Sequence, residues 1–502
     1  VKVEKSYLYQ SLAIIVMASG FFLFFKGNLP KKLFSEEALP TSNIVVDSLM
    51  LEALEGIEKE KLVTKDSLKT EKTGIDDENV IIVPEDVFTS DEESSSFKGM
   101  AYLENFFAKL YALEQQKGGR VRIAYYGDSM TDGDLIVQDL RKNYQSKYGG
   151  MGVGYVPIMS ESAQSRLSVI HKYSNNFKMQ SYLNVKKPQK PFGVSGQVYF
   201  VKDTVKSTWV SYTAGKMQNM TMLYNPTLYY GSSNNKRGEV AVIINKDTIV
   251  KKLSVSSELN KLKIADGNIK DVKLLFKHAD SIPIYGVDFS AGGGVQVDNF
   301  SSRGNSGLPL SLFKVSLMQK YQKNLDYSLI VLHYGANVLN YGSLDYSWYT
   351  KKMGNVVKHL KQCFPNASIL VISTADKSSK VEGVMKTDAA VEPLMKAQRK
   401  YAMEAHAGFF NLYEAMGGNG SMVKWVEEVP AKANKDYTHF NHRGASDISG
   451  KIFARLEEGY TDYKKKHAGQ VPVKKVDSLQ QPDKETVVRE DSSKQKIENE
   501  KE

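Results

Sequence analysis

Three short apolar runs set the strongest limit on what this chain can fold into: VRIAYY at 121–126, SLIVLHY at 328–334 and SILVIS at 368–373. Each is bounded by turn residues and followed, after a loop, by a longer stretch with helical spacing. The spacing predicts helices over 132–147, 345–363, near 390–406 and near 443–458, with a further short strand at 408–412. Strands alternating with helices in this way argue for a parallel sheet covered by helices on both faces, three layers in all. In such sheets ligands sit at the carboxyl ends of the strands.

Residues 155–290 break the rhythm. Alternating and β-branched runs appear at 197–201 (QVYFV), 208–212 (TWVSY), 220–224 (MTMLY), 239–244 (EVAVII) and 272–276 (VKLLF), separated by turn signals such as GSSNN at 231–235. The pattern predicts an inserted antiparallel β-domain, a sandwich. Its aromatic residues offer two readings. They form the sandwich core, or some of them, with Trp209, Tyr212 and Tyr229 as candidates, stack on sugar rings.

The flanks differ from this centre. Residues 7–25 are uncharged and lie between lysines, and as a helix would span about 28 Å, close to a bilayer core. They read as an uncleaved anchor within a segment 1–34. A cleaved signal peptide is the alternative, with an apolar region of about 7–15 residues and an A-x-A-like site that is not evident here. The lysines are balanced across the segment and do not orient it. Residues 35–97 carry 5 Lys against 17 acidic residues and read as an acidic, flexible linker, with one short amphipathic helix near 46–62 as an option. Residues 464–502 are charged, contain no aromatic residue and read as a disordered tail. The remainder, 98–463, has 47 basic and 31 acidic residues, a field that favours anionic partners. The single cysteine, Cys363, excludes an internal disulfide framework and a cysteine-rich zinc site.

The candidate chemistry lies where the strands end. Gly127-Asp128-Ser129-Met130 follows the first strand and precedes a helix, so Ser129 would project over the sheet edge with its own N–H near a helix N-terminus. A serine needs a base, and the base an orienting partner. Asp436-Tyr437-Thr438-His439 supplies both from one loop. A metal site from Asp436, His439 and His442 is the competing reading, weakened by the lack of further clustered ligands. NFSSRGNS at 299–306 places the Gly304 N–H on a loop, and Gly335-Ala336-Asn337 offers a side-chain amide after the next strand. Ser129, Gly304 and Asn337 would then give three donors to a tetrahedral oxyanion.

These four segments, GDSM, the glycine of NFSSRGNS, GAN and DYTH, resemble the four blocks of the SGNH hydrolases, the GDSL-type esterases. The resemblance covers roughly 118–155 and 284–460 and implies a flavodoxin-like α/β/α sheet with Ser129 as nucleophile and first oxyanion donor. It likewise implies Gly304 and Asn337 as the remaining donors, His439 as base and Asp436 as its partner, with no metal and no organic cofactor. The wider context is similar to peptidoglycan O-acetylesterases and to extracytoplasmic polysaccharide O-acetyltransferases, in which the insert is a carbohydrate-binding-like module. Met130 departs from close relatives, which often carry His or another polar residue there. The implied boundaries are 98–154 and 291–463 for the two parts of the SGNH domain and 155–290 for the insert. The implied function is a membrane-tethered, extracytoplasmic esterase removing O-acyl groups, O-acetyl first among them, from a cell-wall or surface glycan. The same site could serve as an O-acetyltransferase beside a membrane-bound acyltransferase, and a non-catalytic glycan-binding shell is the alternative from another class. No nucleic-acid motif accompanies the basic charge.

Overall fold

The computed structural model describes residues 17, 46–55, 96–116, 119–202, 207–339 and 343–467. The expected anchor at 7–25, apart from Met17, most of the acidic segment and the chain from 468 onward lie outside the described residues. Among the described residues no helix is long and apolar enough to cross a membrane.

Five strands form the central sheet: β1 Arg120–Gly127, β2 Gly294–Asn299, β3 Tyr327–His333, β4 Ser368–Ile372 and β5 Gly408–Phe410. Their order is β2-β1-β3-β4-β5 and every pairing is parallel. The order reverses at β1, so the crevice above the carboxyl end of β1, between β2 and β3, is the topological switch point. The longer helices are α1 Glu104–Gln116, α2 Val137–Tyr148, α3 Val315–Leu325, α4 Ser347–Cys363, α5 Val391–Glu404 and α6 His442–Lys466.

The period of two in β1 builds both layers at once. Ile123 and Tyr125 face a core with Phe106 and Leu110 of α1, Leu140 of α2 and Ile452 of α6. Ala124 and Tyr126 face the opposite core, with Leu317 of α3, Met353 of α4 and Leu394 of α5. The α/β/α expectation is met. Helix α6 continues through Lys464, Lys465 and Lys466, residues expected in the tail; these cations sit where helix carbonyls lack partners, and the Lys464 ammonium lies 3.3 Å from Glu114.

The insert is a pair of antiparallel sheets around its own core. One runs, by neighbour, Asp247–Lys252, Glu239–Ile244, Asp271–Lys277, Thr208–Ala214 and Val169–Tyr173. The other runs Asn260–Lys263, Thr227–Tyr230, Ile284–Phe289, Gln197–Val201 and Phe177–Ser181, with Gly154–Pro157 also pairing onto Ile284–Phe289. Of the run expected at 220–224 only Leu223–Tyr224 is strand, and the edge strand Asp247–Lys252 went unanticipated because it buries no face. The aromatic candidates need correction too. Tyr212 is wholly buried, stacked on His171 and donating its hydroxyl to the Pro157 carbonyl. Tyr229 is buried against Tyr321 of α3. Neither offers a face to a sugar. Trp209 alone keeps exposed surface, at an outward position of its strand with the Lys273 ammonium 4.4 Å from the ring centre.

A further departure lies in the acidic segment. Residues 48–55 are helical and packed on the domain, with Met50 and Ala53 buried in the α3–α5 core and Leu51 turned to solvent. The amphipathic option was right in kind, though the buried face is Met50 and Ala53, flanked by Leu49 and Leu54.

Insert and sheet are joined by a buried ion cluster. Arg122 of β1 bonds Asp298 of β2 at 2.7 Å and Asp288 of the insert at 2.6 Å. Asp298 also accepts from the Tyr327 hydroxyl and the Tyr155 N–H. Removing the guanidinium leaves two carboxylates buried without their cation, which typically costs about 3–5 kcal/mol. Arg122→Ala is therefore expected to lose about that much in urea unfolding, whereas Arg303→Ala, at an exposed ion pair with Asp132, should change stability by less than about 1 kcal/mol.

Candidate active site

Strand β1 ends at Gly127, where there is no room for a side chain: a Cβ would stand 2.2 Å from the Thr131 hydroxyl. The chain then turns through Asp128 and Ser129, with the N–H groups of Thr131 and Asp132 returning to the Asp128 carbonyl. The helix expected at 132 starts at Val137. A 3-10 turn, Asp132–Asp134, intervenes, and the left-handed conformations of Gly133, Asp134 and Ile136 break the helix. Ser129 thus sits on a tight turn rather than at an α-helix N-terminus. Asp134 is held in that conformation by Arg141, at 2.8 Å, and by Ser168 of the insert. Burial would raise its pKa, but Arg141 and Arg166 outweigh burial and bring it down to about 2.

Ser129 and His439 are 310 residues apart in sequence, yet the Ser129 Oγ lies 2.9 Å from the His439 Nε2. The His439 Nδ1 lies 2.8 Å from the Asp436 Oδ2, and the Asp436 Oδ1 accepts the N–H groups of Thr438 and His439 at 3.0 Å each. With Nδ1 donating to the carboxylate, Nε2 is left as the acceptor for the serine hydroxyl. Burial works to raise the pKa of Asp436, but these hydrogen bonds prevail and hold it at about 2. The loop is fixed at both ends. Phe440 is buried against Trp425, and the Tyr437 carbonyl accepts from the Ser378 N–H.

The other two segments join the same crevice. The Gly304 loop follows β2, and the Ser302 N–H reaches back to the Gly127 carbonyl while the Thr131 hydroxyl donates to Ser301. Asn337 is buried just beyond β3, its side-chain N–H 3.4 Å from the Asn305 carbonyl. Among the described residues the main-chain N–H groups of Ser129 and buried Gly304 have no acceptor. A depression beside the serine is lined by Met130, Ala336, Leu339, Thr374, Ala375 and Thr438.

One residue to which the sequence analysis gave no role proves central. Asp128 is fully buried; its Oδ1 accepts the Met130 N–H at 2.9 Å, and its Oδ2 accepts the N–H groups of Gly335 and Ala336 at 3.1 and 3.2 Å. It ties the serine turn to the Asn337 loop. Its adjacency to Ser129 was the only signal in sequence. Gln398 of α5 also went unnoticed: it donates to the Tyr334 carbonyl and accepts the Thr374 N–H, both at 2.7 Å, bracing the Asn337 loop from behind.

No family model matches the sequence, and no curated protein does. Solved structures do. One described as "Peptidoglycan O-acetylesterase in action, 5 min" aligns with a TM-score of 0.58 and 20% identity over 74% of this chain and 97% of that one. A family two carbohydrate esterase from Cellvibrio japonicus aligns at 0.23 and 10%, covering 58% of this chain and 98% of its own. A carbohydrate esterase family 2 enzyme with a carbohydrate binding domain from Corynascus thermopiles aligns at 0.24 and 11%, over 57% and 99%. The first of these likenesses establishes a shared fold.

The Asp128 pKa is raised to about 6, by burial first, with the bonds from Met130, Gly335 and Ala336 and the charge of His439 pulling the other way. A carboxyl whose folded pKa lies above its unfolded value contributes stability that is full below the unfolded value and is lost as pH rises through the folded one. Asp128→Asn cannot ionise. Its stability relative to the unmutated chain, read from urea midpoints, should rise between pH 4 and pH 7 by up to about 3 kcal/mol.

Proposed function

We propose that the protein, whose four motif segments meet at one crevice above a sheet of the SGNH-hydrolase type, is a serine esterase that removes O-acyl groups, O-acetyl first among them, from a cell-wall or surface glycan. The observation that carries this reading is the continuous chain from the Ser129 hydroxyl through the His439 ring to the Asp436 carboxylate, at 2.9 and 2.8 Å.

In this mechanism the Ser129 Oγ attacks the ester carbonyl carbon as its proton passes to the His439 Nε2. Asp436, ionised at any pH above about 2, holds the ring and stabilises the imidazolium that forms. The negative charge on the carbonyl oxygen meets the N–H groups of Ser129 and Gly304 and the Asn337 amide, donors already oriented before charge develops. Collapse breaks the bond to the sugar oxygen, which takes the proton from His439 and leaves as an alcohol. Water then gives a proton to the His439 Nε2 as it attacks the acyl carbon, and collapse breaks the bond to the Ser129 Oγ, which takes that proton back from His439 as the carboxylic acid leaves. The depression beside the serine turn combines apolar walls, Met130, Leu339 and Ala375, with polar ones, Thr374, Lys377 and Thr438. The His439 and Asp436 side chains are 38% and 50% exposed, so water has access to the base. The basic charge of 98–463 and the insert support an extended or anionic glycan as substrate. The uncharged segment at 7–25 supports membrane attachment, and the side, outside the cytoplasm, rests on the resemblance to peptidoglycan O-acetylesterases.

The full chain is expected to release acetate from O-acetylated peptidoglycan. Ser129→Ala should lower that rate by about 10⁴-fold or more, with glycan binding retained. Release unaffected by Ser129→Ala would overturn the assignment of the nucleophile. Binding without release by either form would favour the non-catalytic shell.

A further inference from the structure

The Gly304 loop is held by a segment lying some 250 residues earlier in the chain. The Asp47 N–H donates to the Gly304 carbonyl at 3.0 Å, and the Asp47 Oδ2 accepts the Ser306 N–H at 2.7 Å. Its other oxygen, Oδ1, accepts the Met50 N–H at 2.9 Å and so caps the 48–55 helix. Asp47 is 1% exposed. The Ser48 N–H reaches the Leu183 carbonyl of the insert at 2.8 Å, and Met50 and Ala53 seat the helix in the core.

Counting the polar groups of the loop shows what this contact does. The Gly304 carbonyl is taken by Asp47, the Asn305 carbonyl by Asn337, and the Ser306 carbonyl by the Tyr349 hydroxyl. The Ser306 N–H is taken by Asp47, and the Gly307 N–H by the Asn305 side chain. Among the described residues the Gly304 and Asn305 N–H groups are left over. Gly304 adopts a left-handed φ of 78°, so nothing in its own conformational preference pins it. The two bonds to Asp47 close a ring across Gly304, Asn305 and Ser306 that no neighbour in sequence supplies.

We propose that Asp47 is a positioning residue for the oxyanion-binding loop: its main-chain N–H and buried carboxylate clamp both ends of Gly304–Asn305–Ser306, fixing the Gly304 N–H and, through the Asn305 carbonyl, the Asn337 amide. The role at the oxyanion rests on the esterase reading above; the clamp itself does not. Residues 46–55, well ahead of the catalytic domain in sequence, are then a working part of the site. A chain cut at residue 98 would keep Ser129, His439 and Asp436 and still lack the clamp. The effect follows from the steepness with which donor placement governs stabilisation of developing charge.

The test compares the full chain with Asp47→Ala and Asp47→Asn in three measurements: kcat and KM on p-nitrophenyl acetate, the thermal midpoint, and amide hydrogen exchange across the protein. Asp47→Ala is expected to lower kcat by about tenfold or more with KM within about threefold, as for loss of an interaction made in the transition state. Asp47→Asn, which keeps one acceptor oxygen, should fall between Asp47→Ala and the unmutated chain. Exchange should accelerate over 303–308 while β1 and β3 stay protected. Unchanged kcat with unchanged exchange at 303–308 overturns the proposal. So does a loss of kcat that comes with a lowered midpoint and faster exchange throughout, because Asp47 would then only hold the fold together. If the unmutated chain turns over no ester, the esterase reading falls by itself and exchange alone decides the clamp: acceleration confined to 303–308 keeps it, and none removes it.

Discussion

A guanidinium with no exposed surface cannot be tolerated without anionic partners, and the way Arg122 finds them organises this molecule. One partner, Asp298, comes from the neighbouring strand of the parallel sheet; the other, Asp288, comes from the inserted sandwich. The sandwich is therefore joined to the sheet by charge as well as by apolar contact. Asp298 is also the last residue but one of β2, immediately before the loop that carries Gly304. The ion cluster thus sets where the insert sits and where that loop leaves the sheet.

Above the sheet, carboxylates in different surroundings serve different ends. Asp128 is buried among main-chain N–H groups and joins two loops; its environment disfavours charge. Asp436 is half exposed, collects three hydrogen bonds and stays ionised, as a partner for an imidazolium must. Asp47 repeats the Asp128 theme from a distance, accepting main-chain N–H groups of the Gly304 loop and of its own helix. Asp134 pairs with Arg141 and keeps the serine turn from merging into α2. None of the four could exchange places with another, because what separates them is burial and the donors around them.

Much of this was legible without coordinates. The apolar runs of β1, β3 and β4 read as strands because a strand buried on both faces is apolar at most positions, with Arg122 the charged exception in β1. The aspartate and histidine were found because they lie three positions apart, within reach of one turn, and the serine because it directly follows a strand end; their meeting across 310 residues is the work of the sheet. The edge strand Asp247–Lys252 was missed because it has no buried face and so no periodicity. Tyr212 and Tyr229 were offered as sugar platforms because an aromatic residue in an alternating strand looks the same from either side until the register of the opposing sheet is known.

The sequence by itself determined the layered α/β plan, the presence of an inserted β-domain, and the residue types of a serine, histidine and aspartate site at strand ends. These follow from period, length and adjacency, which are properties of a chain read in order. Only the tertiary structure decided that Asp128 joins the serine turn to the Asn337 loop, and that Arg122 joins sheet to insert. It alone showed that ten residues of an acidic segment fold back onto the Gly304 loop. Each of these is a buried polar group whose partners lie far away in sequence. A composition that reads as solvated is overruled once one helical turn buries Met50 and Ala53 and the aspartate before it finds donors that the loop cannot otherwise satisfy.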